Sequence, residues 1–450
     1  MKKLFLCVLF LINICFANGL TFKISDALLP QNTPQTAFNL NSYLSNYLLQ
    51  SPEVKTRKNS FAISTNNYKN TFISYFMPSF SASAGASNSY SRADRFSSLE
   101  DLKEWHSQGS LNGSWNLFNS GKDSLSYKKA HLTYQIAQID FDSFMQNKVL
   151  SAVSNYYNLL LKQKKLAVYR DDVANTKKQY DQDKILYDNG LKTRSDLLSS
   201  ETNWRSGQLS LFSAQSDYED ALSSFNISLN QPAETKITLA EDIDDSLFEL
   251  PSLEEDLARA LENRHDIRRS RLELEEQDLS FKQNKLNTLP SLSVDLFGST
   301  GRSFDRHEVW DYNYGISAGV SFDFGFFYID KKRERENYFL TNQNAHLNYE
   351  ETLRHMRDDI VSVRNNLILK MQSLEISALR LEAATQKFEA TQTKYQNGLM
   401  SATDLTFARQ EMVSAQINHL TLITDLAIAK LRYQYAIGQN IFEYSLEDLK

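Results

Sequence analysis

Tyr187-Asp188-Asn189-Gly190-Leu191-Lys192-Thr193-Arg194-Ser195-Asp196-Leu197 returns later in the chain as Tyr395-Gln396-Asn397-Gly398-Leu399-Met400-Ser401-Ala402-Thr403-Asp404-Leu405, at an offset of 395 − 187 = 208. The agreement extends well beyond the turn. Backwards in steps of seven stand Leu159, Leu166, Val173 and Tyr180 in one copy and Leu367, Leu374, Leu381 and Phe388 in the other. Forwards stand Trp204, Leu211, Tyr218 and Phe225 against Met412, His419, Leu426 and Tyr433. A large residue every seven positions on both arms of a short turn predicts two antiparallel helices packed as a coiled coil. Three positions further along each return arm the residues are mostly small: Ser200, Gly207, Ala214 and Ala221, then Ala408, Ala415, Leu422 and Ala429.

The turn carries its own stop and start signals. Gly190 and Gly398 can take the left-handed conformation that ends a helix, because neither has a Cβ to clash. Thr193 with Asp196, and Ser401 with Asp404, have the spacing of a capping box that opens the next helix.

Length and composition fit one duplicated architecture better than several unrelated domains. Glycine and proline are sparse, and 49 basic against 55 acidic residues give a net charge of −6. No basic block is present, which argues against nucleic acid as a partner. Met1-Lys2-Lys3, the apolar run Leu4 to Ile14 and then Cys15-Phe16-Ala17 have the form of a secretory signal peptide, residues 1–17. Its removal takes the charge to −6 − 2 = −8 and removes both cysteines, Cys7 and Cys15. That leaves no disulfide, thiol chemistry or Cys-ligated zinc. Lipidation at Cys15 is disfavoured by Ile14, where a small residue is wanted. No later apolar run is long enough for a membrane helix, so any membrane part must be built of strands.

Two repeats follow, about 18–250 and 251–450. Each begins with a helix, one over about Thr36 to Phe76 with a break near Ser51-Pro52, the other from Ser252 to about Leu289. Each helix ends in a matching phrase, Met77-Pro78-Ser79-Phe80 or Leu289-Pro290-Ser291-Leu292. Strands are predicted at about 78–91, 107–118, 290–301 and 312–325, because apolar and small polar residues alternate there. The hairpins then cover about 122–230 and 326–437, with outgoing arms near 100 Å at 1.5 Å per residue and return arms half as long. The segments after the return arms, Gln231 to Pro251 and Gly438 to Lys450, are expected to form a belt partway along.

The strands admit two readings. One is a soluble hairpin pair with one face on a core. The other is the wall of a membrane barrel, with the apolar face to lipid and a polar face free of bulky residues lining a wet lumen. Strand length and the aromatic residues near strand ends favour the barrel. Four strands cannot close one, so several chains would have to share it. Loops Arg92 to Trp105 and Arg302 to Asp311 would lie at one end.

The sequence resembles the TolC-like outer membrane efflux proteins. The likeness rests on the paired Tyr-x-Asn-Gly-Leu turns, on Arg264-His265-Asp266-Ile267, and on Phe118-Asn119-Ser120-Gly121 with Phe322-Asp323-Phe324-Gly325 after the strands. The resemblance implies a mainly helical homotrimer with a 12-stranded β-barrel in outer membrane lipid, continued by a periplasmic α-helical barrel. It further implies an exit duct, without cofactor or catalysis, served by a periplasmic adaptor and an inner-membrane transporter in efflux or type I secretion. By position, Gly190, Leu191, Gly398 and Leu399 would form the adaptor-docking rim. Asp404 matches an aspartate that rings the closed entrance, Asp196 a residue of the first hairpin's tip, and Tyr395 a tyrosine in the links that hold the entrance shut. Met400 stands where some members have an arginine, and Phe407 where they have a second ring aspartate. The expected entrance is thus one acidic ring beside an apolar constriction. Asp196 and Asp404 also have a purely local reading, as helix caps. A soluble periplasmic coiled-coil adaptor is the competing reading of the whole chain. The seven histidines lack the spacing of a metal site, and no Walker, G-x-S-x-G or H-E-x-x-H motif occurs.

Overall fold

A computed structural model describes residues 37–91, 102–239, 249–303, 310–323 and 328–442. The expected signal peptide, Phe324 to Phe327, most of both polar loops and the last residues of the tail lie outside them. In chain order the elements are β1 (Ala37–Phe38), α1 (Leu40–Gln50), α2 (Pro52–Phe76), β2 (Ser79–Ser91), β3 (Leu102–Phe118), α3 (Lys122–Asp188) and α4 (Arg194–Ser228). There follow β4 (Thr238–Leu239), α5 (Leu253–Asn263), α6 (His265–Lys285), β5 (Ser291–Ser303), β6 (Trp310–Ser321), α7 (Ile329–Gln396) and α8 (Ala402–Ala436). Both hairpins repeat at the offset of 208, since 396 − 188 and 436 − 228 give the same number.

Pro52 stands at the first position of α2, where its missing N–H costs nothing, and so divides α1 from α2 as expected. The break at Arg264 was not expected from the sequence. Arg264 is extended (φ −66°, ψ 129°). Its guanidinium donates to the Ala436 carbonyl at the end of α8 (3.1 Å) and pairs with Asp359 of α7 (2.8 Å). The cation thereby satisfies a helix C-terminus, and the local break in its own helix is what lets it reach there. Gly438, at φ +76°, passes so close that a Cβ would stand 2.8 Å from the Arg264 nitrogen.

The four long strands form one antiparallel sheet in the order β2-β3-β5-β6. Its register aligns the two faces predicted strand by strand. Phe80, Gly113, Leu296 and Ile316 lie in one cross-strand row; Ser79, Ser114, Asp295 and Ser317 lie in the neighbouring row on the opposite face. A register shift between Asn116 and Phe118 pairs Phe118 with Leu292, keeping an aromatic residue on the apolar face. The polar face differs from expectation at one place. Phe297 belongs to it, paired with Asn112 and Gly315, so this face is not free of bulky residues.

The helices continue the order of the strands. Near the sheet the row is α2-α3-α6-α7, and towards the turns it is α4-α3-α8-α7. At each level the outermost elements carry exposed apolar side chains, among them Phe72 and Ile73 on α2, Leu209 and Phe212 on α4, and Leu340, Leu347 and Ile376 on α7. Partway along, two glutamines of α3 hold the connecting segments. Gln163 bonds both backbone groups of Leu239, and Gln146 bonds Phe442 and Ile441. β1 pairs in parallel with β4.

The core is densest here, and its two halves differ. In the first repeat Tyr43, Tyr156 and Phe225 are buried, with Tyr43 stacked on Phe225 at 4.3 Å. The matching positions of the second repeat, Arg364 and Tyr433, instead grip Asp256 of α5. That carboxylate is fully buried and accepts from Arg364 (2.7 Å) and the Tyr433 hydroxyl (2.7 Å). Burial together with this bond raises the Tyr433 hydroxyl well above its ordinary value. Replacing Arg364 by Met should lower unfolding free energy by about 3–5 kcal/mol, because it strands a buried charge. The double variant with Asp256→Leu should recover most of the loss; guanidinium unfolding followed by circular dichroism checks both.

Candidate functional site

The two turns lie at the far end of the hairpins from the sheet and have one geometry. Gly190 and Gly398 share φ +74°. Leu191 N–H reaches back to Leu186 O (2.8 Å) and Leu399 N–H to Lys394 O (2.9 Å), closing both helices with the same C-terminal motif. Leu191 and Leu399 are each 73% exposed. Such paired apolar tips, held out by a glycine turn, are suited to contact with another protein.

Both capping boxes are formed. Asp196 Oδ2 accepts from the Thr193 hydroxyl (2.7 Å) and N–H (3.2 Å), and Asp404 accepts from Ser401 in the same way (2.7 and 3.3 Å). The Thr193 hydroxyl holds the Asp196 carboxyl below its ordinary 3.8. Each aspartate therefore caps its helix, whatever else it does. Phe407 and Met400 are exposed.

Between the hairpins the structure places a set of residues that the heptad count does not single out. The most buried positions of α3 near the turn are Asp172, Thr176 and Asp183, while Tyr180 and Tyr187 of the heptad line remain partly exposed. Opposite them on α4 the covered residues are the small ones, Ser200, Gly207 and Ala214. At Gly207 a Cβ would stand 3.4 Å from the Thr176 hydroxyl and 3.5 Å from Asp172, so the small seam leaves room for polar groups. Large residues of the heptad line stack beside it, Tyr180 on Trp204 at 5.3 Å.

These buried carboxylates tie one hairpin to the other. Asp172 takes both its bonds from Arg409 of α8 (2.5 and 2.7 Å). Asp183 accepts from Lys192 of the first turn (2.5 Å), from the Tyr395 hydroxyl at the end of α7 (3.0 Å) and from Gln179 (3.0 Å). Lys192 also bonds the Tyr395 hydroxyl and lies 4.1 Å from the centre of its ring. Burial would lower the Lys192 ammonium, but its bonds to Asp183 and Tyr395 outweigh that and raise it above 10.5. Burial raises the Tyr395 hydroxyl, with Lys192 opposing. Asn203 donates to Thr406 (2.6 Å) across the same gap, which holds a cavity of about 50 Å³. Thus Lys192, from the first turn, supplies a cation to this cluster, while Met400 of the second turn supplies none. Its one sequence signal was Lys192 itself, directly after the Asn-Gly-Leu of the first turn, where the second turn has Met400.

Among the described residues, no group of three His, Cys, Asp or Glu could hold a metal ion, and no helix is long and apolar enough to cross a membrane. The sequence pattern of the family described as outer membrane efflux protein matches residues 73–231 and 257–439, which is most of the chain.

This chain belongs to the outer membrane efflux protein family.

Solved structures agree in fold at low identity. The Campylobacter jejuni outer membrane channel CmeC is 18% identical, with a TM-score of 0.73 over 90% of this chain and 87% of that one. The open state of the Neisseria gonorrhoeae outer membrane channel MtrE is 16% identical, with a TM-score of 0.70 over 89% of each. CusC, described in connection with transmembrane channel formation, is 13% identical, with a TM-score of 0.73 over 89% and 92%. No curated protein sequence matches the chain. Membership in an outer membrane efflux family assigns the alternating strands to a membrane wall and disfavours the soluble adaptor.

Thr193→Ala and Ser401→Ala are each expected to cost about 1 kcal/mol of helix stability at neutral pH, as for loss of an N-cap hydroxyl. The Asp196 part has a defined acid limit. A lowered carboxyl value stabilises above the unfolded value of 3.8 and ceases to as pH falls through the folded one, so the Thr193→Ala deficit should shrink in strong acid. Denaturant unfolding of the two variants at neutral and acid pH measures this.

Proposed function

We propose that three copies of this chain form one passive outer membrane duct, with twelve strands in the membrane and a helical barrel in the periplasm. The observation that carries this reading is that the chain is a row open at both ends on every level. The sheet ends at β2 and β6, the upper helices at α2 and α7, and the lower at α4 and α7. Joining the ends of successive copies closes a ring and removes every edge. Four strands per copy and three copies reach a number that can enclose an aqueous lumen.

The turn end is then the periplasmic entrance. In this reading Asp404 and Asp196 set acidic groups around it, Phe407 adds apolar bulk, and Tyr395 with Asp183 and Lys192 holds the two hairpins together. Gly190, Leu191, Gly398 and Leu399 present the rim to a periplasmic adaptor, which couples the duct to an inner-membrane transporter of an efflux or type I secretion system. Docking would open the entrance by favouring an arrangement in which the bonds between hairpins are broken. Passage itself is diffusion, and no residue acts as a catalyst.

Reconstitution in planar bilayers tests the entrance. The double variant Lys192→Met with Tyr395→Phe should raise conductance severalfold over wild type. The Lys192 value is raised above 10.5, so its link is intact below that and lost as pH rises through the folded value. Wild-type conductance should accordingly stay flat through neutral pH and climb above 10.5, and the double variant should not respond. Asp404→Ala should weaken block by polyvalent cations, since three carboxylates on one ring concentrate them. Unchanged conductance in the double variant would remove the link from the gate, and unchanged block in Asp404→Ala would remove the ring.

A further inference from the structure

Phe297 interrupts a surface that is otherwise polar and, along β5 and β6, made of small residues, carboxylates and one asparagine. On this face of the sheet, the described residues of β5 and β6 are serines, glycines, Asn313, the carboxylates Asp295 and Asp311, and this one aromatic ring. No lysine or arginine shares it among the residues whose side chains are described. Arg302 lies on the other face, 5.9 Å from the Trp310 ring.

We propose that Asp295 and Phe297 form a binding station for bulky organic cations on the wet wall of the sheet, an assignment that rests on the duct described above. Being two positions apart on β5, they point to the same side, about 7 Å from one another. That spacing suits a single solute with a cationic centre and an apolar or aryl body. The carboxylate is held in place by the Ser114 hydroxyl, which donates to it at 2.6 Å, and by the Ser293 hydroxyl at 3.5 Å. The ring extends over the neighbouring strand, where only glycine fits: a Cβ at Gly315 would meet its edge at 2.7 Å. It is thereby kept against the wall without obstructing the passage, and 40% of its surface remains exposed. In three copies the pair occurs three times around the lumen.

The same device on the opposite face shows what a purely structural role looks like. Phe80 covers Gly113 with a Cβ distance of 2.9 Å, but its ring faces the apolar side, where lipid solvates it. Phe297 has no such solvent. A large apolar group exposed to water beside a fixed anion is unfavourable unless a solute of matching chemistry passes over it. Cation attraction to an aromatic face adds to the carboxylate's field, and a neutral or anionic solute gains little from either.

The test uses the full-length protein in planar bilayers, with tetraphenylphosphonium added on the side of the strand loops, away from the turn end, and tetraphenylborate as the anionic control. Wild type should be blocked by the cation far more strongly than by the anion. Phe297→Leu keeps the apolar bulk and should weaken that block about three- to tenfold. Asp295→Asn should weaken it at least as much, and both variants should keep the thermal stability of wild type. Equal cation block in wild type and both variants would overturn the station while leaving the duct intact. Loss of stability without loss of block would leave Phe297 as a glycine cover and also overturn it. Absence of any conductance in wild type would overturn the station together with the duct on which it depends.

Discussion

Among the described residues, β2 and β6 each pair along one side only, so a row of backbone N–H and C=O groups faces outward at both ends of the sheet. In hydrocarbon such groups cannot remain unpaired, because each would cost several kcal/mol. Much of the architecture follows from that constraint. The strand order is carried into the helices because each long strand is joined directly to a helix, so the open ends of the sheet become open ends of the helical rows. Exposed apolar residues on α2, α4 and α7 mark the same boundaries in a different chemistry. A chain built this way is complete only when its two ends meet those of its neighbours.

The internal duplication supplies the repeat but not identity between the halves. At matching places the first repeat packs Tyr156 and Phe225 into an aromatic core, and the second buries Arg364 and Tyr433 around Asp256. An aromatic core tolerates small shifts, whereas a fully buried ion pair fixes orientation and is costly to break on one side. The second half also carries Arg264, which ties the end of α8 to α7 and forces the break between α5 and α6. The second hairpin is therefore anchored by charges at its base, and near its tip it is tied to the first by Asp172–Arg409 and Asp183–Lys192–Tyr395.

Much of this was legible in the residues. Seven-residue spacing, glycine turns and capping boxes state the hairpins outright, because those signals are local. Period-two alternation states the strands, and the register confirms that apolar rows meet apolar rows. The break at Arg264 was not legible, since its cause is a carbonyl 172 positions away. Nor was the polar seam of Asp172, Thr176 and Asp183: a heptad count rewards large apolar residues, whereas here the facing helix offers small ones, and the space admits charged side chains. Phe297 was visible in the sequence but misread, because the alternation of its neighbours suggested a face of uniformly small residues. Tyr395 was expected in a link between hairpins on the strength of resemblance, and it does contact the other hairpin. Its cationic partner, however, comes from the first turn, not the second.

The account stands or falls on whether the two ends of the row meet between copies. The only cysteines, Cys7 and Cys15, lie in the expected leader, so introduced pairs can be read without background. Within one chain β2 and β6 are separated by two strands, about 14 Å at the usual spacing, too far for a disulfide. Ala84→Cys on β2 combined with a cysteine scan along β6 from Asn313 to Val320 should give, at one register, covalent dimers and trimers under mild oxidation in the outer membrane. Monomers at every register, from protein that is folded in that membrane, would contradict it.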